Sequence, residues 1–240
     1  MNFMKKFLVT MGLVAFAVVG CDNSSSASAG PNDEPGIESS SSSSGKVTEP
    51  AEVTSSSSKG PELAEESFTD TRDGQTYKTV TVGTQTWMAE NLNYETANSY
   101  CYNDNSANCT KYGRLYTWGA AKTACPSGWH LPDTTEWKTL FTAVGGSSTA
   151  GTKLKSTSAW NNSGNGTDAF GFSALPAGGR DGYEDYYYEG YYADFWSSTE
   201  DSTEDGSDCA YFMRLYYSYD YADLNNNYKF YGFSVRCLKD

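Results

Sequence analysis

The stretch Cys125-Pro126-Ser127-Gly128-Trp129-His130-Leu131-Pro132-Asp133-Thr134-Thr135-Glu136-Trp137 decides the fold. Its second half is a helix start: Asp133 is the N-cap, Glu136 three residues on completes a capping box, and Trp137, Leu140, Phe141 and Val144 recur along one helical face. Gly145-Gly146 stops that pattern. Near the C-terminus Gly232-Phe233-Ser234-Val235-Arg236-Cys237 answers it, so two cysteines frame one folded unit.

Upstream, the turn signals Asp73-Gly74 and Gly83-Thr84 bracket Gln75 to Val82, whose β-branched alternation predicts a strand. Arg114 to Ala124, with Leu115, Trp118 and Ala121, predicts a short helix ending near Cys125-Pro126. Beyond Gly146 no long helical pattern recurs. Phe170, Phe172 and Ala174 alternate, as do Phe233, Val235 and Cys237, and both runs predict strands with one buried face. A strand, two helices and then loop-rich strands make an α+β domain.

The N-terminus reads as a targeting segment rather than as fold. Lys5 and Lys6 precede an apolar run from Phe7 to Val19 that is too short to span a bilayer comfortably. Val18-Val19-Gly20-Cys21 resembles the bacterial lipobox, which implies a signal peptide over 1–20 and acylation of Cys21. The partner is then a lipid bilayer, held by more than one acyl chain. Asp22 resembles the inner-membrane retention signal of enteric bacteria, yet the expected place is the cell envelope, extracytoplasmic, at the outer membrane or cell surface. Residues 21–66 are rich in Ser, Gly, Pro, Glu and Ala, a composition that buries too little apolar surface to fold. As a coil of about 45 residues this tether would hold the domain roughly 35 to 40 Å from its anchor. The folded domain is expected over 67–240, and its formal net charge of −13, counted over the whole chain, opposes nucleic acid as a partner.

Four blocks carry a resemblance: Tyr77 to Tyr94, Tyr112 to Trp118, Cys125 to Trp137 and Gly232 to Cys237. Together they resemble the Fibrobacter succinogenes major paralogous domain over nearly the whole folded part. Leu131-Pro132 to Glu136-Trp137 and the terminal Gly-Phe-x-x-Arg-Cys type ending are also similar, more weakly, to the formylglycine-generating enzyme and C-type-lectin-like fold. That likeness implies the first and last parts of the domain side by side, with a long irregular loop region between Gly145 and Ser207. With Cys21 acylated, five of the six cysteines remain and the sequence permits many pairings. The resemblance implies Cys125 with Cys237, and a local staple of Cys101 with Cys109. Closing a loop of about 110 residues would contribute roughly 4 to 5 kcal/mol in the chain-entropy model. Cys209 is left over, read as a buried or free thiol in preference to a reactive or metal-binding group.

Catalytic signals are sparse. His130 is the only histidine, and its neighbours Trp129, Leu131 and Pro132 make it a structural imidazole before a general base. No Gly-x-Ser-x-Gly, phosphate-cradling or His-Glu-x-x-His motif accompanies it. The copper-holding cysteine pair of formylglycine-generating enzymes finds only Cys209 near the corresponding region, Cys237 being structural in that likeness. The carboxylates Asp181, Glu184, Asp185, Glu189, Asp194, Glu200, Asp201, Glu204, Asp205 and Asp208 could flank a glycosidic bond or hold calcium. They lack EF-hand spacing and the calcium triplets of sugar-binding lectins, and they read as a solvated acidic loop. No cofactor and no metal are expected.

The remaining signal is aromatic. Tyr183, Tyr186, Tyr187, Tyr188, Tyr191 and Tyr192 crowd one segment, and Tyr211, Tyr216, Tyr217, Tyr219, Tyr221, Tyr228 and Tyr231 crowd a second rich in Ser, Asp and Asn, of which Tyr217, Tyr219 and Tyr221 join the first group as candidate binding residues. Tyr gives a rigid apolar face with a polar tip, suited to adaptable binding surfaces. The expectation is an envelope-anchored lipoprotein presenting a non-catalytic lectin-like module that binds a glycan or protein through these residues. A formylglycine-generating-enzyme-like oxidase, an acid-pair glycan hydrolase and a structural envelope protein are the alternatives.

Overall fold

A computed structural model describes residues 66–202 and 208–240. The signal peptide, Cys21 and nearly all of the Ser-rich tether lie outside the described residues, as do Glu204 and Asp205. The strands in chain order are β1 (Glu66–Thr69), β2 (Thr76–Val82), β3 (Gln85–Met88), β4 (Ser99–Tyr100), β5 (Leu115–Tyr116), β6 (Trp129–His130), β7 (Gly179–Arg180), β8 (Tyr186–Tyr187), β9 (Tyr192–Glu200), β10 (Cys209–Tyr216), β11 (Ala222–Tyr228) and β12 (Leu238–Lys239). The helices are α1 (Ser106–Tyr112), α2 (Trp118–Ala124), α3 (Thr134–Ala143) and α4 (Ser147–Leu154).

Gly83, at φ 63°, turns β2 back on β3 with Val82 opposite Gln85. The first sheet runs β1-β2-β3-β12-β6, so the C-terminal strand lies between β3 and β6 and joins the two ends of the domain. The disulfide Cys125–Cys237 closes the same junction, and Cys101–Cys109 ties α1 to the turn before it. The second sheet, β11-β10-β9, is antiparallel throughout.

The α+β class is therefore the observed one, with several elements placed differently from the sequence reading. In α3, Asp133 Oδ1 accepts from Glu136 N at 2.8 Å while Glu136 Oε2 accepts from Asp133 N at 2.7 Å. The expected helix over Arg114–Ala124 shortens to α2, because Leu115 and Tyr116 pair with β4. Gly145-Gly146 ends α3 but starts α4, which the sequence reading missed: both glycines have positive φ and redirect the chain. Phe170 to Ala174 forms no strand apart from a bridge of Ala174 to Lys155. Gly232 to Cys237 is likewise extended with isolated bridges to Arg180, Tyr116 and Phe195 rather than a strand with one buried face. Both sides of that run are buried: Phe233, Val235 and Cys237 on one, Ser234 and Arg236 on the other. The expected irregular region between Gly145 and Ser207 holds α4, β7, β8 and the nine-residue strand β9.

Two aromatic cores flank β9. On one side Trp137 of α3 meets Trp87 of β3 at 4.8 Å and Phe195 at 6.1 Å, with Phe172 edge-on to Trp87 at 5.7 Å. On the other, Trp196 meets Phe233 at 4.5 Å and Phe212 at 6.2 Å. Arg236 is buried among the first group's neighbours, donating to Asn91 Oδ1 at 2.8 Å, Met88 O at 3.2 Å, Ser173 O at 3.0 Å and Phe172 O. Burial with neutral acceptors pushes this guanidinium down to about 9.

Candidate aromatic binding face

Strand alternation sorts the second sheet into two faces. Ala193, Phe195, Met213, Leu215 and Ala222 enter the core beside α3 and α4. The register Phe212↔Trp196, Arg214↔Asp194, Tyr216↔Tyr192 and Arg214↔Asp223 places the intervening side chains on the opposite face. At one end of it Phe212 and Trp196 are covered by Phe233. At the other, Tyr192, Arg214 and Tyr216 are half-buried.

An ion pair sits at the centre of that open end. Arg214 Nε and Nη2 donate to the two oxygens of Asp194, both at 2.7 Å, and Asp194 is 0 % exposed. Burial opposes charge on Arg214, but the Asp194 carboxylate outweighs it and holds the guanidinium above its ordinary value. Its carbon lies 4.7 Å from the Tyr192 ring centre, 4.9 Å from Phe212 and 5.8 Å from Tyr216. Burial raises the phenols of Tyr192 and Tyr216 and the carboxyl of Asp223, with the Tyr216 hydroxyl partly offsetting the last.

Around this pair the rings touch in series. Tyr187 meets Tyr188 at 5.3 Å, Tyr188 meets Tyr192 at 4.5 Å, and Tyr192 meets Tyr216 at 5.3 Å. Tyr216 meets Tyr219 at 5.2 Å and Tyr221 at 5.5 Å, and the last two stack at 4.8 Å. Tyr188 is 53 % exposed and Tyr219 48 % exposed, so two of these rings present themselves to solvent. Tyr187 is deeper, and burial sends its phenol far above the ordinary value.

The 216–221 turn is held from behind. Lys155 Nζ donates to Tyr216 O at 2.9 Å, Tyr217 O at 3.4 Å and Tyr219 O at 3.1 Å, while Thr152 Oγ1 bonds Asp220 Oδ1 at 2.6 Å. Burial lowers the Lys155 ammonium. Gly151 and Gly164 let backbone come close: a Cβ would stand 2.5 Å from Tyr221 O at the first and 2.4 Å from Tyr217 O at the second.

The structure thus brings together Tyr187, Tyr188, Tyr192, Tyr216, Tyr219 and Tyr221 of the residues singled out in sequence, and adds Arg214. Tyr191 and Tyr217 form a separate edge-on pair at 5.1 Å. Tyr186 turns away: its hydroxyl donates to Asp104 Oδ1 at 2.6 Å, its ring meets Tyr102, and burial with that carboxylate pushes it up to about 12. Tyr183 stands at a turn outside the series, 89 % exposed. Arg214 was legible in principle, since Phe212, Arg214 and Tyr216 alternate with Met213 and Leu215.

Other expected chemistry is placed as follows. The acidic run is not uniformly solvated: Asp194 and Asp201 are buried, and Glu189 Oε1 accepts from the Tyr112 hydroxyl at 2.8 Å. Among the described residues no cluster of three or more His, Cys, Asp or Glu could hold a metal ion. Cys209 is fully buried and is not a free thiol, and Cys237 is bonded to Cys125. His130 is not in an apolar setting: Nδ1 lies 2.6 Å from Asp240 Oδ1 and Nε2 lies 2.8 Å from Glu136 Oε1.

A family model described as the Fibrobacter succinogenes major domain matches residues 80–239. The chain belongs to this family. The match runs from β2 through β12 and takes in the Cys101–Cys109 and Cys125–Cys237 bonds and the aromatic face. Neither a curated protein nor a solved structure matches the chain.

Proposed function

We propose that this member of the family is an envelope-anchored lipoprotein whose folded domain is a non-catalytic, lectin-like binding module. The observation that carries the reading is the run of touching tyrosines set around a fully paired Arg214–Asp194 on the open end of one sheet. Tyrosine faces stack on sugar rings or apolar side chains, and their hydroxyls supply the directional bonds. A turn pinned by Lys155 gives the rings fixed places before any ligand arrives, which lowers the ordering cost of binding. The finer assignment to the C-type-lectin-like fold is supported by the last strand, β12, lying in one sheet with the early strands, beside β3, and by the Cys125–Cys237 bond next to it. An experimental structure whose chain trace departs from that fold would remove the finer assignment.

Anchoring through Cys21 rests on the Val18-Val19-Gly20-Cys21 pattern and two disulfides suited to an oxidising compartment. Peptide mapping of the mature chain is expected to find Cys21 N-terminal and acylated; Cys21 recovered in a disulfide overturns the anchor. For binding, the full chain is screened on glycan arrays and against envelope extracts. The signal is expected to fall at least tenfold when Tyr188, Tyr216 and Tyr219 are together replaced by Ser, a loss of about 1.4 kcal/mol. Unchanged binding by the triple variant sinks this site.

A further inference from the structure

The aromatic face does not end at Tyr187. Tyr187 also meets Tyr231, edge-on at 6.3 Å, and Tyr231 meets Tyr228 at 6.4 Å. Tyr228 stacks on Phe230 at 5.1 Å with only 8° between the planes. Phe230 is 51 % exposed, as open as Tyr219 at the far end of the series. It rests on the turn at Gly182, where a Cβ would come within 2.4 Å of its ring. One continuous line of rings therefore joins two exposed aromatic ends, with Arg214 beside its middle.

We propose that this line is an extended track that binds an uncharged linear polysaccharide along its length rather than at a chain end. The proposal rests on the binding-module reading above and adds the ligand class and a second subsite at Tyr228, Phe230 and Tyr231. A series of touching rings with exposed members at Tyr219, Tyr188 and Phe230 offers separated stacking positions to successive sugars of one chain, whereas a terminal sugar needs one enclosed pocket. The charge pattern selects against acidic chains. Arg214 is spent on both oxygens of Asp194, and the carboxylate nearest on β11, Asp223, has no basic side chain opposite it other than that same Arg214. The chain's formal charge of −13 adds general repulsion of polyanions. Ring faces and phenol hydroxyls supply the contacts themselves, so binding along the track needs no bridging cation.

The test titrates the full chain with oligosaccharides of increasing length from a neutral linear glucan and a neutral linear mannan, with a polyuronate alongside, each with and without chelator. Affinity is expected to climb with length for at least one neutral series, to be unchanged by chelator, and to be unaffected by reduction of the sugar's chain end. Phe230→Ser and Tyr219→Ser, at opposite ends, should each cost the long ligand about threefold to tenfold, and the shortest ligand, which spans only part of the row, much less. Both rings lie at the surface, and an unchanged melting curve confirms that the fold is intact. Length-independent affinity, or a Phe230→Ser variant that binds long chains as the parent does, overturns the track. Preference for the polyuronate overturns the ligand class. Capture of a protein, lost on replacing Tyr188, Tyr216 and Tyr219 by Ser, with no polysaccharide bound, overturns this inference but leaves the binding-module reading standing.

Discussion

Asp194 and Arg214 hold the open end of the aromatic face, and each depends on the other. Asp194 is 0 % exposed, so Asp194→Ala leaves a guanidinium without its counter-ion among packed rings. The expected loss is about 3 to 5 kcal/mol in urea unfolding, with much of it recovered in the double variant Asp194→Leu/Arg214→Met. Strand alternation hints at the face of Arg214, but the role of Asp194 is not legible from the residue alone, since an Asp in an acidic Tyr-rich run reads as solvated. His130 differs in sign. Burial works against its charge, but Asp240 and Glu136 outweigh burial and raise its pKa. Its contribution is therefore fully present below the unfolded value of about 6.5 and is lost as pH rises through the raised folded value. The melting temperature should fall across that window, and His130→Gln should flatten the profile. The single histidine was visible in sequence; its two carboxylate partners were not, because Asp240 arrives from the far end of the chain.

At the scale of elements, local rules worked where neighbours in sequence are neighbours in space. The capping box of α3 and the β2–β3 hairpin are of this kind, and Asp133→Ala should cost about 1 kcal/mol. The rules failed for α4, whose Gly145-Gly146 start looks like a stop and whose Gly151 lowers helix propensity. Gly151 is explained by packing: the turn carrying Asp220 and Tyr221 passes directly over it. Gly151→Ala is therefore expected to destabilise by about 1 to 3 kcal/mol despite alanine's better helix propensity, and to loosen amide-exchange protection over 216–221. The Cys125–Cys237 and Cys101–Cys109 disulfides should differ with the loops they close. Replacing Cys125 and Cys237 by Ala, a separation of 112 residues, should cost about 4 to 5 kcal/mol, against about 2 to 3 kcal/mol for Cys101 and Cys109, separated by 8.

For the whole molecule, the C-terminal run is the keystone. Phe233 fills one core, Arg236 ties Asn91 to the 172–173 carbonyls, Cys237 is bonded to Cys125, and β12 inserts between β3 and β6. Deleting residues 232–240 should abolish cooperative thermal unfolding, as read by calorimetry, rather than merely lower its midpoint. The sequence by itself determined the α+β class, the start of α3 and the tyrosine-rich composition, because helix caps, turns and periodicity are short-range, while the pairing of Cys125 with Cys237, 112 residues apart, was implied by family resemblance alone. Only the tertiary structure decided which tyrosines touch, that Arg214 is spent on Asp194, and that Phe230 continues the row. Those facts follow from the register of β9 on β10 and from segments distant in sequence meeting in space, which no local pattern encodes.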